Sequence, residues 1–509
     1  MTTPARAKAL MILGTASHVG KSTVAAAFCR LLAEEGRRVA PFKAQNMALN
    51  SFVTLEGGEI GRAQVAQAEA AGIEPHVDMN PILLKPMGGV SQVVVDGSPV
   101  GVMSAREYYG AKETLWPRVV AAYDRLAARS EVVVLEGAGS PVEINLMEHD
   151  LTNLKMARHA DAAVVLVADI ERGGVFAQVV GTWELMEPAD RARVVGFIIN
   201  KFRGDLGLLD PGLAYLRERT GVPVLGVLPY RGDLQIDQED SLGIDETATP
   251  SGLEDDPDAL DVAVARFPGL SNFTDVWPLS RVPGVRVRYV AAGAEFGRPD
   301  LVILPGTRTT ARDLAWLRRV GLADRVARGA ADPDGPVVLG VCGGFQMLGT
   351  RVDDPLGVES AEISAPGLGL LGVATTFAPA KERHRVAGST IARDLPIAGY
   401  EIHMGTTVRS PGVAPWISLT RQADGSTVLD GAVAPSGRVF GTYVHGLFDS
   451  LPFCRDLVDR LRARRRLPPL GPGRWAAHRA TLADRYGALA GLLRDHLDLG
   501  PIRAALSRD

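Results

Sequence analysis

The chain has 509 residues, more than one hydrophobic core usually holds, so we expect two or three domains. Its 46% hydrophobic and 22% charged residues are ordinary for a globular protein, and a net charge of −4 gives no overall bias toward nucleic acid or a membrane surface. Three scattered cysteines make neither a disulfide framework nor a metal-ligand spacing, and no apolar run approaches the ~20 residues that span a bilayer. We therefore predict a cytoplasmic protein.

The first strong pattern is a strand, a glycine-containing loop and a helix near the N-terminus. Residues 9–13 are apolar, the loop 14–23 reads Gly-Thr-Ala-Ser-His-Val-Gly-Lys-Ser-Thr, and apolar residues then recur at helical spacing. Such a P-loop holds phosphates with backbone N–H groups and a lysine, while its serine holds magnesium. The longer loop resembles that of the dethiobiotin synthetase group. We predict that the ATP-binding residues include Gly14, Thr15, Gly20, Lys21, Ser22 and Thr23.

A second strand, residues 38–42, leads into an amide-rich run, Lys-Ala-Gln-Asn-Met-Ala-Leu-Asn-Ser at 43–51. One interpretation is a surface turn with local hydrogen bonds. The other is a ligand site, because open α/β sheets bind ligands at the carboxyl ends of their strands. The run resembles a signature of cobyric acid synthases. That resemblance implies that Lys43 lies near the transferred phosphate and that four residues line the acceptor site, namely Gln45, Asn46, Asn50 and Ser51.

Two further strands of this domain end in polar residues. Residues 132–135 are apolar and deliver Glu136, which we expect to meet magnesium together with Ser22, although a lone acid at a strand end is more often a solvated cap. Residues 194–199 end in Asn200 and Lys201, which by analogy with related P-loop enzymes contact the nucleotide base. Arg203 is an alternative contact for a substrate carboxylate. Strands alternating with helices predict a doubly wound, mostly parallel sheet.

A polar, acidic stretch divides the chain. We predict a P-loop domain at 1–245, a linker at 246–260, a second domain at 261–450, and a helical segment at 451–509 packed on the second domain. A group of arginines in that segment lacks the interleaved aromatics of a nucleic-acid patch, and we expect it to be a solvated helix end: Arg460, Arg462, Arg464, Arg465 and Arg466.

In the second domain, Cys342 stands between an apolar strand at 337–341 and a helix, in the pattern Gly-x-Cys-x-Gly. This is a thiol version of a nucleophile elbow, and a helix N-terminus beside the sulfur favours the thiolate. The alternative is a core cysteine, which does not need glycines packed around it. The strand 301–304 ends in Pro-Gly-Thr, so we expect backbone N–H groups at Gly306 and Gly343 to form an oxyanion hole. His445 ends a third strand and is the predicted base.

These pieces resemble a class I glutamine amidotransferase domain, in which the cysteine forms a thioester with glutamine. The usual glutamate two residues after the histidine is Leu447 here, a gap that cobyric acid and cobyrinic acid diamide synthases share by resemblance. Another group or a backbone carbonyl then orients His445. Whether Glu401 does so is left open. His403 is a weaker candidate for the base, because its phrase precedes a separate strand.

Nearly the whole chain resembles cobyric acid synthases. This implies an α/β protein with two doubly wound, mostly parallel-sheet domains, one P-loop NTPase-like and one class I glutamine amidotransferase-like. It also implies amidation of the b, d, e and g carboxylates of adenosylcobyrinic acid a,c-diamide to adenosylcobyric acid, with ATP, Mg²⁺ and glutamine. The partners would be the corrinoid, glutamine and ATP, with no nucleic acid or membrane, and a homodimer is a hypothesis. The alternatives are a cobyrinic acid a,c-diamide synthase and a P-loop ATPase with a non-catalytic amidotransferase-like domain.

Overall fold

A computed structural model describes residues 7–232, 234, 256–359 and 364–507, apart from the side chains at 477 and 479–483. Residues 246–255 of the predicted linker lie outside the described residues. The chain forms two compact units. The first unit comprises Met1–Ala48, Gly58–Glu239 and Ala483–Asp509, and the second comprises Leu49–Gly57 and Asp240–Leu482.

Up to residue 232, helices alternate with short, mostly apolar strands. The strands are β1 (Lys8–Gly14), β2 (Val39–Phe42), β3 (Gln45–Met47), β4 (Ser51–Val53), β5 (Glu59–Gly61), β6 (Ile82–Met87), β7 (Val90–Val95), β8 (Ser98–Ser104), β9 (Val132–Glu136), β10 (Ala163–Asp169), β11 (Val194–Phe202) and β12 (Val224–Pro229). The helices are α1 (Lys21–Glu34), α2 (Arg62–Ala71), α3 (Ala105–Arg129), α4 (Leu154–Ala160), α5 (Val175–Leu185), α6 (Pro188–Arg191) and α7 (Asp210–Thr220).

The first unit is built on a six-stranded parallel sheet in the order β12-β11-β10-β1-β9-β2. Alternate residues of β1 enter two different hydrophobic clusters, with Met11 and Leu13 in one and Leu10 and Ile12 in the other. Because successive side chains of a strand point to opposite faces, the sheet is covered on both faces, as a doubly wound fold requires. A smaller sheet, β3-β6-β7-β8, belongs to the same unit and was not predicted.

From residue 256 onward the chain contains longer antiparallel strands as well. The strands are β13 (Leu260–Ala265), β14 (Val285–Val290), β15 (Leu301–Leu304), β16 (Val337–Val341), β17 (Arg351–Asp353), β18 (Ser364–Pro366), β19 (Val373–Thr390), β20 (Pro396–Arg409), β21 (Ile417–Arg421), β22 (Thr427–Asp430), β23 (Ala432–Val433), β24 (Val439–Thr442) and β25 (Val444–His445). The helices are α8 (Trp277–Ser280), α9 (Thr310–Arg319), α10 (Leu322–Ala331), α11 (Gly343–Leu348), α12 (Leu451–Arg464), α13 (Pro472–His496) and α14 (Gly500–Ser507).

The second unit has its own sheet in the order β14-β13-β15-β16-β24-β23, parallel except for β23. A second, mainly antiparallel sheet contains β17 to β22 and β25. The prediction of two α/β domains with mostly parallel central sheets is therefore confirmed, and the antiparallel sheet is an addition. Its pairing of β20 with β25 places Tyr400 opposite His445.

The structure corrects the predicted boundaries in two places. The segment Leu49–Gly57 belongs to the second unit although the chain before and after it belongs to the first. The prediction that all of 451–509 packs on the second domain is wrong for Ala483–Asp509, whose buried residues join a hydrophobic cluster with β1 of the first unit. Leu489, Leu493 and Ile502 are members of that cluster. The apolar residues of α13 and α14 predict helices with buried faces but not which domain those faces cover.

The arginine group after residue 460 binds backbone carbonyl groups of the second unit. Arg464 donates to the carbonyl of Gly335, and Arg465 donates to that of Ala259.

None of the helices in the described part of the chain combines the length and the apolar character needed to cross a membrane.

Candidate active sites

In the first unit, the loop between β1 and α1 has the conformation of a phosphate-binding loop. Gly20, the residue before α1, has φ of 100°, a value that favours glycine. A Cβ atom on Gly14 would lie 2.6 Å from the side chain of Val19, so glycine is needed there too. The buried Lys21 donates from Nζ to the carbonyl oxygens of Ala16 at 2.8 Å and Gly139 at 3.1 Å. Its ammonium group is thus held at the loop.

The carboxylate of Glu136 is the centre of this site. It lies at the end of β9, next to β1 in the sheet, and is 1% exposed. Its oxygens accept hydrogen bonds from Ser22 Oγ at 2.6 Å, Lys43 Nζ at 2.9 Å and Gln67 Nε2 at 2.6 Å. Burial acts to raise the pKa of Glu136, but the charge of Lys43 and these hydrogen bonds hold it below its usual value. A buried carboxylate bonded to a lysine and to the P-loop serine suits a phosphoryl-transfer site.

The predicted acceptor residues fall into two groups. Lys43, Gln45 and Asn46 lie in the first unit, where Gln45 accepts from the Tyr108 hydroxyl at 2.6 Å and Asn46 donates to Gln64 at 2.9 Å. Asn50 and Ser51 lie in the second unit. The acceptor role of all five stays a prediction.

The residues predicted at the nucleotide base contact the P-loop and a neighbouring strand. Asn200 donates from Nδ2 to the carbonyl of Val19 at 2.8 Å, so its side chain lies against the P-loop. Lys201 forms an ion pair with Asp169, with Nζ 3.0 Å from the carboxylate. Thr15 donates to Gln178 at 3.1 Å, and Thr23 lies in the first turn of α1. Their contact with the nucleotide stays a prediction.

The donor set at this site fits magnesium. Ser22 and Glu136 bring a hydroxyl and a carboxylate oxygen within 2.6 Å of each other, and Mg²⁺ prefers oxygen ligands from one or two protein groups together with phosphates and water. No group of three or more His, Cys, Asp or Glu suited to a metal occurs among the described residues.

In the second unit, Cys342 occupies a strained turn between β16 and α11. Its φ of 53° and ψ of −112° lie outside the conformations that non-glycine residues usually adopt. Glycine neighbours make the turn possible, because a Cβ atom on Gly340 would lie 2.7 Å from the carbonyl of Gly344, and one on Gly344 would lie 1.9 Å from the carbonyl of Leu304. This is the predicted nucleophile elbow, and backbone strain of this kind is typical of functional sites.

His445 is connected to both Cys342 and Asp275. Its Nδ1 atom is 2.6 Å from an Asp275 oxygen, and the second oxygen of Asp275 accepts from the Gly446 N–H at 3.1 Å. Burial lowers the pKa of His445, but the charge and hydrogen bond of Asp275 and a hydrogen bond with Cys342 together raise it to about 10. The three side chains form a Cys–His–Asp triad.

The position that carries the triad glutamate in the usual amidotransferase pattern is part of the core in this chain. Leu447 is 1% exposed and packs in the main hydrophobic cluster of this unit. Glu401, the carboxylate whose role the sequence left open, has a pKa raised to about 7 by burial and by nearby Asp430, and Arg421 lies 3.6 Å from it. His403 stacks on Tyr443 and burial lowers its pKa to about 4. The geometry thus favours His445 over His403 as the base.

The two glycines predicted at the oxyanion hole lie beside the triad. A Cβ atom on Gly306 would lie 3.1 Å from Cε1 of His445, and one on Gly343 would lie 2.6 Å from the side chain of Thr307. Only glycine therefore allows the loop after β15 to approach the elbow this closely. Stabilisation of an oxyanion by their N–H groups stays a prediction.

Asn50 and Ser51 bind the loop that carries Asp275. Asn50 accepts from the Phe273 N–H at 3.1 Å, and the Ser51 N–H donates to Asn272 at 3.0 Å. The Ser51 carbonyl accepts from the hydroxyl of Tyr400, whose ring stacks on His445 at 5.2 Å. In the second unit, Asn50 and Ser51 thus bind the loop that leads to Asp275, and Ser51 also binds the tyrosine that stacks on His445.

The sequence is similar along almost its whole length to curated cobyric acid synthases. It is 50% identical to the cobyric acid synthase of Pelotomaculum thermopropionicum, covering 98% of this chain and 97% of the relative. It is 48% identical to that of Sorangium cellulosum, covering 98% of each, and 46% identical to that of Syntrophobacter fumaroxidans, again covering 98% of each. The chain belongs to the cobyric acid synthase family.

Two domain models match this family member, one over most of the first unit and one over most of the second. Residues 10–242 match the CobQ/CobB/MinD/ParA nucleotide binding domain, and residues 261–453 match the CobB/CobQ-like glutamine amidotransferase domain. The family assignment made from the P-loop, the amide-rich run and the elbow is confirmed.

Sequence reasoning missed one contributor to the sites of this family member, Asp275, and assigned no partner to a second, Gln67. Asp275 ends the phrase Ser-Asn-Phe-Thr-Asp at 271–275, which resembles cobyric acid synthases but has no spacing that marks a triad. Gln67 lies on α2 and donates to Glu136. In the sequence, Gln67 is an amide within a helix of small residues. That pattern predicts a buried helix face but identifies no partner for the amide.

Proposed function

We propose that this protein is a glutamine-hydrolysing, ATP-dependent amide synthase that converts the b, d, e and g carboxylates of adenosylcobyrinic acid a,c-diamide to amides, giving adenosylcobyric acid. The observation that carries the proposal is the assembled triad Cys342–His445–Asp275 in a chain that also has a complete phosphate-binding loop. One unit is equipped to release ammonia, and the other to activate a carboxylate.

In the first reaction, the Cys342 sulfur attacks the side-chain amide carbon of glutamine. The C–S bond forms, the C–N bond breaks, and His445 gives its proton to the departing ammonia. Asp275 holds the imidazole by Nδ1, which leaves Nε2 for the cysteine and the leaving group. Water, deprotonated by His445, then attacks the thioester carbon and releases glutamate and the free thiol.

In the second reaction, a carboxylate oxygen of the corrinoid attacks the γ-phosphorus of ATP, and ADP leaves. Lys21 and Lys43 stabilise the negative charge that the transferring phosphoryl group spreads over its oxygens. Magnesium, held by Ser22 and Glu136, supplies further charge neutralisation when bound. Ammonia then attacks the acyl carbon of the acyl phosphate, loses a proton, and displaces inorganic phosphate.

The geometry disfavours the alternative of an ATPase with a non-catalytic amidotransferase-like domain. A degenerate domain would not need the strained Cys342 conformation, and it would not need a buried carboxylate on the base. The remaining alternative, a cobyrinic acid a,c-diamide synthase, shares this architecture and differs in which carboxylates react. The relatives named above favour the cobyric acid product.

Mass spectrometry of the corrinoid tests the proposal. Purified protein is incubated with ATP, magnesium, glutamine and adenosylcobyrinic acid a,c-diamide, and each amidation replaces a hydroxyl by an amino group. We expect four successive products, all lost in a Lys21→Ala variant, which lacks the phosphate-binding ammonium. If the corrinoid mass stays unchanged while glutamine and ATP are consumed, the substrate assignment fails.

The setting of the reaction is a further part of the proposal. We propose that the protein works in the cytoplasm, in keeping with its free cysteines Cys29, Cys342 and Cys454. We also propose that it binds no nucleic acid and acts as a homodimer. Light scattering during size-exclusion chromatography at several concentrations tests the homodimer, and a mass of one chain throughout would refute it.

A further inference from the structure

A cavity of about 350 Å³ lies in the first unit, at the carboxyl side of its parallel sheet. Its lining is mainly apolar and includes Met47, Met103, Tyr109 and Met147. Met47 is 54% exposed at the cavity, although a methionine of this kind is usually buried. Ligand pockets run from roughly 300 to 1,000 Å³ and combine apolar walls with a few polar groups. The cavity has the size and character of a site for part of a larger apolar ligand.

The lysine in this cavity is the unusual feature. Lys112, on α3, is 9% exposed, and within the described ranges no side-chain or backbone group forms an ion pair or hydrogen bond with its ammonium. Its contacts are aromatic, with Nζ 4.4 Å from the ring centre of Tyr109. Burial lowers the pKa of Lys112, and the charge of Asp150 partly offsets this. The Lys112 side chain is largely removed from solvent and its ammonium has no directly bonded acid among the residues that the structure describes, which is costly, so its retention points to an anion that is bound there during function.

The two acids that line the cavity do not fill this role. Asp150 accepts hydrogen bonds from the backbone N–H groups of Thr152, Asn153 and Leu154, and so serves the start of α4. Glu143 is exposed to solvent. Lys112 is therefore the cation available to a ligand inside the cavity.

The cavity borders the phosphate-binding residues. Gly139, which lines it, accepts a hydrogen bond from Lys21 Nζ at 3.1 Å. Gln45 also lines it and is held by the hydroxyl of Tyr108 at 2.6 Å. An acceptor bound in the cavity would thus have one edge near the lysine that holds the transferred phosphate.

We propose that this cavity binds one edge of the corrinoid acceptor, and that Lys112 pairs with a carboxylate of the acceptor other than the one being amidated. The inference rests on the proposed function. The corrin ring is larger than the cavity, so its apolar edge packs on the methionines and on Tyr109 while the rest stays outside. Because each amidation removes one carboxylate, the Lys112 ammonium favours acceptors with more carboxylates over the amidated product.

Equilibrium dialysis of adenosylcobyrinic acid a,c-diamide against the full-length protein without ATP tests this inference. Lys112→Met keeps the length of the side chain and removes its charge, and Lys112→Arg keeps the charge as the matched control. We expect Lys112→Met to weaken binding by about 10–100-fold, since a hydrogen bond to a charged group is lost. Lys112→Arg should stay within about 3-fold of the unmutated protein, because it keeps a cation able to bind a carboxylate. The loss in Lys112→Met should be smaller for the tetraamidated product than for the substrate.

Three further measurements on Lys112→Met show whether its effect is confined to corrinoid binding. Glutaminase activity and the KM for ATP should be unchanged in Lys112→Met, and its thermal unfolding temperature should be unchanged or higher, because an unpaired buried charge is removed. Unchanged corrinoid binding in Lys112→Met overturns the inference, and a raised KM for ATP alone assigns the cavity to the nucleotide and overturns it too. If the unmutated protein binds no corrinoid, the proposed function fails and the inference fails with it.

Discussion

The two candidate sites both contain a buried carboxylate paired with a cation, but they use it differently. Glu136 in the first unit is a hub that accepts hydrogen bonds from four side chains, those of Ser22, Lys43, Gln64 and Gln67. Asp275 in the second unit lies at the edge of its triad and orients His445, which contacts Cys342. In the first site, Glu136 forms hydrogen bonds with several polar and charged side chains. In the second site, Asp275 orients His445 and raises its pKa.

The two sites are built from different residues in different units. We therefore expect substitutions in one site to leave the reaction of the other unit intact. Cys342→Ser should show the largest effect, a loss of glutaminase activity of about 10⁴-fold or more, since the nucleophile itself is removed. Amidation of the corrinoid driven by ammonium chloride should persist, because that reaction needs only the first unit. Glutamate release and corrinoid mass are the measurements. Undiminished glutaminase activity in Cys342→Ser would mean that another residue is the nucleophile.

Asp275→Asn should lower glutaminase activity by about 10²–10⁴-fold, because the imidazole loses the group that sets its tautomer and stabilises its charge. The charge and hydrogen bond of Asp275 help to raise the pKa of His445 to about 10 against the effect of burial, so the alkaline limb of the pH–rate profile should move to lower pH in the variant.

Glu401→Gln is the matched control for this prediction. Glu401 is a buried carboxylate on β20, 3.6 Å from the Arg421 side chain. We expect its glutaminase activity to stay within about 3-fold of the unmutated protein, as for a residue outside the reaction. Equal losses in the two variants would show that buried charge in general, and not the Asp275–His445 bond, supports activity.

Glu136→Gln should lower ATP-dependent amidation by about 10²–10³-fold, the usual range for removing one preorganised electrostatic group. Glutamine hydrolysis should be unaffected. Glu131→Gln is the control, since Glu131 lies just before the same strand and its carboxylate bonds the Arg38 N–H at the surface. Steady-state ADP release measures the effect. A similar loss in both variants would contradict a specific role for Glu136.

The smallest expected effect is on stability. The pKa of His445 is about 10 in the folded protein and about 6.5 when unfolded, so the folded state binds more protons between these values. The stabilisation from the Asp275–His445 pair is therefore fully present below pH 6.5 and is lost as pH rises through 10. Urea unfolding of Asp275→Asn and the unmutated protein should show a difference in unfolding free energy that shrinks over this window. A constant difference would contradict the pKa assignment.

The two carboxylates also show why one site was more predictable than the other. Glu136 follows an apolar strand directly, and parallel strands deliver their end residues to one edge of the sheet, so its place beside the P-loop follows from local pattern. Asp275 lies on a short 3-10 turn and meets a histidine far along the chain. No local sequence pattern predicts that two residues so far apart in the chain will meet.

The amino-acid sequence by itself determined the P-loop, the elbow at Cys342 and the two α/β domains, because strand and helix periodicity and glycine spacing are local properties. Only the tertiary structure decided the partner of His445, the membership of Leu49–Gly57 in the second unit and of Ala483–Asp509 in the first. Those outcomes depend on which apolar faces and hydrogen-bonding groups meet after folding. Each outcome brings together residues that are distant in the chain. Burial makes these contacts specific, and it does so only after the hydrophobic cores have formed.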